Sequence, residues 1–184
     1  MLSRPDVLRR TGGRKVAEII YDEATIAAKV KELGAAITAY YDEGDLVVLG
    51  LLKGSFIFLG DLVRQIERPL QVDFLVASSY GADTISSGEV RLLYDPQTRL
   101  EGKHILVVED IIDSGATLER LLRVLGSRSP RSLSVCALLD KGLVQEPPPE
   151  IRFVGFQAPH KFLVGYGLDH AEEFRHLPYI VTMS

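Results

Sequence analysis

The spacing of apolar positions changes several times along the chain, and each change marks an element. Ile26, Val30, Leu33 and Ile37 recur at helical spacing, which predicts an amphipathic helix over 23–41. Residues 46–52 form an unbroken apolar run of strand length, the pattern of a strand buried on both faces. Lys53-Gly54-Ser55 breaks that run, and 56–66 reads as a second helix. Further strands are expected at 15–21, 72–80, 105–108, 133–139 and 151–156. Residues 90–94 should return as a hairpin partner, and 162–166 is another strand candidate. A third helix is expected over 118–125. Residues 42–45 and 95–103 read as turns, 1–13 as a loose polar tail, and the small, polar stretch 81–88 as a mobile loop.

Strands alternating with helices predict an α/β fold with a mainly parallel sheet. Ligands of such sheets bind at the carboxyl ends of the strands. That rule should bring together Lys53-Gly54, residues 109–117, Asp140-Lys141 and Asp169.

Composition narrows the function classes. A length of 184 residues suits one domain with a real core. The net charge of −4 argues against binding nucleic acid through bulk charge. One cysteine, Cys136, excludes an intrachain disulfide, and its apolar setting reads as a buried thiol. The chain has no 18-residue apolar run, and its first residues lack the apolar core of a signal peptide. A cytoplasmic protein without a membrane partner is expected.

The most informative segment is 104–118. An apolar strand leads into Glu109 and Asp110, then Asp113, then Ser114-Gly115-Ala116-Thr117 and a helical pattern. A tight loop opening a helix offers backbone N–H groups and a favourable potential to an anion. Carboxylates beside such a cradle can hold sugar hydroxyls or a metal, so a sugar phosphate is the expected ligand. A nucleoside triphosphatase would want Gly-x-x-x-x-Gly-Lys-Ser/Thr, and a dinucleotide fold Gly-x-Gly-x-x-Gly; neither is present. A phosphoacceptor domain can begin with Leu-Val-Val-Glu-Asp, but here that run lies mid-chain.

The segment resembles the phosphoribosyl diphosphate loop of the type I phosphoribosyltransferases. Leu51-Leu-Lys-Gly-Ser55, Ser78-Ser-Tyr-Gly81, Leu138-Leu-Asp-Lys141 and the stretch from Lys161 to Asp169 extend the resemblance, with Arg175 and Leu177-Pro-Tyr-Ile180 beyond. Together they resemble the hypoxanthine (hypoxanthine–guanine) phosphoribosyltransferases over about residues 15–181. The resemblance implies a type I fold with a central sheet, a small hood made by the two chain ends, and a mobile loop.

It also implies an activity: transfer of 5-phosphoribosyl from phosphoribosyl diphosphate to hypoxanthine or guanine, with magnesium as cofactor. Glu109 and Asp110 would face the ribose hydroxyls and, with Asp169, the metal. Asp113 would be the general base at purine N7. Ser114, Gly115, Ala116 and Thr117 would hold the 5′-phosphate; some relatives carry a lysine where this chain has Ala116. Lys53, Gly54 and Arg175 would meet the diphosphate, with the Lys53–Gly54 bond a candidate non-proline cis peptide. Lys141 would donate to purine O6, since an ammonium has only donors and rejects a 6-amino group. Phe162 would stack on the base, a contact worth about 1–3 kcal/mol. The Leu163 backbone would meet the base edge. Ser79 and Tyr80 would belong to a lid that excludes water. His160 and His170 flank the purine segment and take no catalytic role. The resemblance implies a homodimer or homotetramer; nucleic-acid-binding regulators and xanthine- or adenine-preferring transferases are the alternatives.

Overall fold

A computed structural model defines residues 4–14, 16–78 and 91–183. Its elements, in chain order, are α1 (Arg4–Thr11), β1 (Val16–Tyr21), α2 (Glu23–Tyr40), β2 (Leu46–Leu51), α3 (Phe56–Val63), β3 (Gln71–Ser78), β4 (Arg91–Tyr94), β5 (His104–Ile112), α4 (Ala116–Gly126), β6 (Ser132–Asp140), β7 (Ile151–Gln157), β8 (Leu163–Val164) and β9 (Ile180–Met183).

A six-stranded sheet runs in the order β4-β3-β2-β5-β6-β7. The pairs β3–β2, β2–β5, β5–β6 and β6–β7 are parallel, and only the β3–β4 pair is antiparallel. The sheet is covered on both faces, which is why β2 is apolar at every position. Helices α2 and α3 pack on one face with Leu106, Val108 and Leu138. On the other, Leu118, Leu121, Leu122 and Leu125 of α4 pack on Ile105, Val107 and Val135.

A second, three-stranded sheet, β1-β9-β8, ties residues near the two chain ends together. It has its own small core of Val164, Phe174, Leu177, Tyr179 and Val181.

Several expectations change in detail. The tail is not loose throughout, because residues 4–11 form α1. Pro5 is tolerated in the first helical turn, Arg9 and Arg10 suit the negative end of the helix dipole, and left-handed Gly12 ends it. Helix α3 stops at Val63 rather than 66, closing with a tight Gln65 N–H to Leu62 carbonyl bond; Ile66 remains buried without being helical. The 162–166 candidate shrinks to two residues, because left-handed Gly165 and Tyr166 turn the chain away. The tail instead supplies β9, antiparallel to β1 and β8.

The most consequential change concerns β5, which does not stop at Val108. Its parallel ladder with β6 continues through Glu109↔Ala137 to Ile112↔Asp140. The two acids are therefore strand residues, and α4 begins at Ala116, two residues earlier than expected.

Candidate active site

The described polar segments singled out in the sequence lie at or past the carboxyl ends of parallel strands, or in the 162–175 stretch that follows β7. Lys53-Gly54 follows β2, residues 113–117 follow β5, and Lys141 follows β6.

Side chains alternate along a strand, so Glu109 continues the row of Ile105 and Val107, and Asp110 that of Leu106 and Val108. Glu109 lines a cavity of about 220 Å³ together with Asp113, Ser114, Gly115 and Thr117. Its Oε2 is enclosed and has no hydrogen-bond partner. Burial, with the Asp110 charge beside it, holds the Glu109 carboxyl well above the usual range. Burial also raises Asp110. Two enclosed carboxylates, one with an orphaned oxygen, call for hydroxyl donors or a hard cation.

Gly54 lies directly against Asp110. A Cβ at residue 54 would overlap the Asp110 carboxylate, so any other residue there would force the β2 loop or the Asp110 side chain to move. The cis peptide here joins Leu52 to Lys53, one bond before the position the resemblance suggested.

The loop after β5 turns at Gly115, with φ at 75°. A side chain there would also press on Val144 of the β6–β7 connection. The first bond within α4 runs from Glu119 N–H to the Gly115 carbonyl at 2.9 Å. The amides of Ala116, Thr117 and Leu118 are thus left without an acceptor inside the helix. They are donors of the kind an anion cradle needs, at the place where the small residues of 114–117 suggested one, and Ala116 offers only its backbone.

Asp113, which lines this cavity, meets Lys141, 28 positions further along the chain. Lys141 Nζ donates to Asp113 Oδ2 at 2.7 Å. The lysine is mostly enclosed and the aspartate is half exposed. Lys141 N–H also donates to the Ile112 carbonyl at 3.0 Å, which fixes the β6 end to the β5 end.

The stretch 162–175 supplies the remaining side. The Phe162 ring is 54% exposed and meets His170 edge-on, with centroids 5.5 Å apart. Leu163 is buried in β8, paired with Thr182. Asp169 does not join the Glu109–Asp110 pair. Its Oδ2 accepts from Glu172 N–H at 2.9 Å and its Oδ1 pairs with Arg175 at 2.8 Å. Arg175 also donates to the Gly167 carbonyl at 2.8 Å. Among the described residues no three His, Cys, Asp or Glu side chains converge as a metal cage. Ser79 and Tyr80, the expected lid residues, lie outside the described residues.

Two features were not singled out in the sequence. Glu172 bridges both expected diphosphate cations, accepting from Lys53 at 3.1 Å and from Arg175 at 3.3 Å. Tyr166 donates to Asp61 of α3 at 2.7 Å, which anchors the 162–175 stretch to the main core. The Lys53–Glu172 and Tyr166–Asp61 pairings have no periodic signal, since each joins residues far apart in the chain.

Comparison with known proteins decides the family. The phosphoribosyl transferase domain family matches residues 16–171. The chain belongs to the phosphoribosyltransferase family. This phosphoribosyltransferase is 46% identical to the hypoxanthine phosphoribosyltransferase of Salmonella typhimurium, over 91% of this chain and 95% of that one. It is 44% identical to the hypoxanthine-guanine phosphoribosyltransferase of Bacillus subtilis, over 92% of this chain and 94% of the relative. The crystal structure of a hypoxanthine phosphoribosyltransferase from Staphylococcus aureus superposes with a TM-score of 0.86 at 41% identity, covering 92% of each chain. The type I phosphoribosyltransferase fold expected from the sequence is therefore the fold of this chain.

Proposed function

We propose that this phosphoribosyltransferase salvages 6-oxopurines, joining N9 of hypoxanthine or guanine to the ribose C1 of phosphoribosyl diphosphate and releasing diphosphate. The observation that carries this reading is the Lys141–Asp113 pair beside the anion cradle. A 6-oxopurine presents O6 and N7 side by side on one edge. An ammonium next to a carboxylate complements that edge: Lys141 donates to O6, and Asp113 takes the N7 proton. A 6-amino group would place donors against the ammonium, so adenine is rejected.

The other roles follow from position. The free amides at the start of α4, with the Ser114 and Thr117 hydroxyls, hold the 5′-phosphate. Glu109 and Asp110 accept from the ribose hydroxyls, and Phe162 stacks on the base. Lys53, Gly54 and Arg175 serve the diphosphate. As diphosphate leaves, positive charge grows on the sugar ring, and the enclosed carboxylates stabilise it electrostatically.

Magnesium fits the Glu109–Asp110 pair. It takes oxygen ligands, uses one or two carboxylates, and keeps waters and substrate oxygens for the rest. When bound it neutralises the departing diphosphate. Asp169, held by Arg175 and the Glu172 amide, would be a further oxygen donor toward such an ion.

We also propose a single catalytic domain over residues 1–184, a cytoplasmic location and a homodimer or homotetramer. No described helix is long and apolar enough to cross a membrane.

Turnover of hypoxanthine with phosphoribosyl diphosphate and magnesium tests the reading, with the nucleotide product measured directly. The reading expects the monophosphate and stoichiometric diphosphate. Absence of product from every purine tried, with the protein folded, would refute it.

A further inference from the structure

Glu172 places a carboxylate between the two cations that the proposed function gives to the diphosphate. Its Oε2 is 3.1 Å from Lys53 Nζ and 3.3 Å from an Arg175 nitrogen. The side chain is held there by its own backbone. Ala171 and Glu172 are left-handed, with φ of 52° and 66°, and Asp169 Oδ2 accepts the Glu172 amide at 2.9 Å.

We infer that Glu172 is a resident counter-anion of the diphosphate subsite, displaced when phosphoribosyl diphosphate binds and restored as diphosphate leaves. Both cations have a partner before substrate arrives, and an incoming diphosphate must break those pairs. The same contacts re-form when the product departs, which lowers the cost of release. Glu172 thus acts through Lys53 and Arg175 as a positioning residue that sets how tightly the diphosphate end is held. The inference rests on the proposed diphosphate role of Lys53 and Arg175. Glu172 and Lys53 are both about two-thirds exposed, so the effect is modest and sensitive to salt.

The test is product inhibition of the whole enzyme by inorganic diphosphate, measured for Glu172→Gln beside the unaltered protein. Glu172→Gln removes the charge and keeps the size. The expected result is a fall of about two- to five-fold in both the diphosphate inhibition constant and the KM for phosphoribosyl diphosphate. The KM for hypoxanthine should stay unchanged, and the difference should shrink as ionic strength rises. An unchanged or higher inhibition constant overturns the inference, since a carboxylate that merely orients the cations would weaken binding when removed. Lys53→Gln and Arg175→Gln separate the two levels. If they weaken diphosphate inhibition while Glu172→Gln has no effect, only the role of Glu172 falls. If they too leave inhibition unchanged, the diphosphate reading falls and takes this inference with it.

Discussion

Lys141 Nζ and Asp113 Oδ2 lie 2.7 Å apart, joining the ends of two neighbouring parallel strands. In the proposed reading this adjacent donor and acceptor meet the neighbouring O6 and N7 of one purine edge. Their contact also means that each side chain satisfies the other until a base arrives.

Asp113→Asn should keep the shape of the pair and remove the proton acceptor. Turnover should fall by about 10²–10⁴, the usual range for losing a general base, while the KM for phosphoribosyl diphosphate changes little. Steady-state kinetics with each substrate varied checks this, and unaltered turnover would remove Asp113 as the base.

Lys141→Gln replaces three donors with a group that both donates and accepts. The kcat/KM for hypoxanthine should drop by about 10–100-fold, equivalent to a charged hydrogen bond of roughly 1.5–3 kcal/mol. The disadvantage of adenine should narrow. Full retention of discrimination in the variant would move that role to another group.

Gly54→Ala brings a methyl into the Asp110 carboxylate. The β2 loop or the β5 acids must shift, and catalysis tolerates little misplacement, so turnover should fall by about 10²-fold or more. The melting temperature should change much less, because residue 54 lies at the site and outside the apolar cores. Normal kinetics would show that the close approach is not needed.

Asp73 lies on the same sheet, away from the chemistry, and gives a pH prediction for stability. Burial alone would raise its carboxyl, but hydrogen bonds from the Thr98 and Phe74 amides, at 2.8 and 2.7 Å, outweigh burial and lower it. A carboxyl lowered on folding binds fewer protons in the folded chain. Its contribution is full above its unfolded value near 3.8 and is lost as pH falls through the folded value. Asp73→Asn should cost about 1 kcal/mol near neutral pH and lessen the loss of stability on acidification below pH 4. Urea melts across that range check it; identical pH profiles would contradict it.

Much of this site was legible in the chain because its pieces are local. The anion cradle needs small residues opening a helix, and 114–117 are such residues. The sheet was legible because β2 and β6 are apolar throughout their centres. The end of β5 was not, because its apolar run stops at Val108 while the backbone ladder with β6 continues for four more residues. Hydrophobic pattern reports burial, and a strand that carries its acids into a ligand cleft stops looking like a strand. Helix α1 was missed because its sequence is polar, with Val7 packed against the small core of the second sheet. The Lys141–Asp113 and Glu172 pairings depend on tertiary placement. Glu172 further depends on left-handed conformations at Ala171, Glu172 and Phe174, which non-glycine residues rarely announce.

The central claim is that the Lys141–Asp113 pair selects a 6-oxopurine for phosphoribosyl transfer. Competition among hypoxanthine, guanine, xanthine and adenine for limiting phosphoribosyl diphosphate, with the four nucleotide products resolved, tests it most directly. The account predicts that inosine and guanosine monophosphates dominate and that adenine is essentially unused. Adenine as the preferred substrate would contradict it.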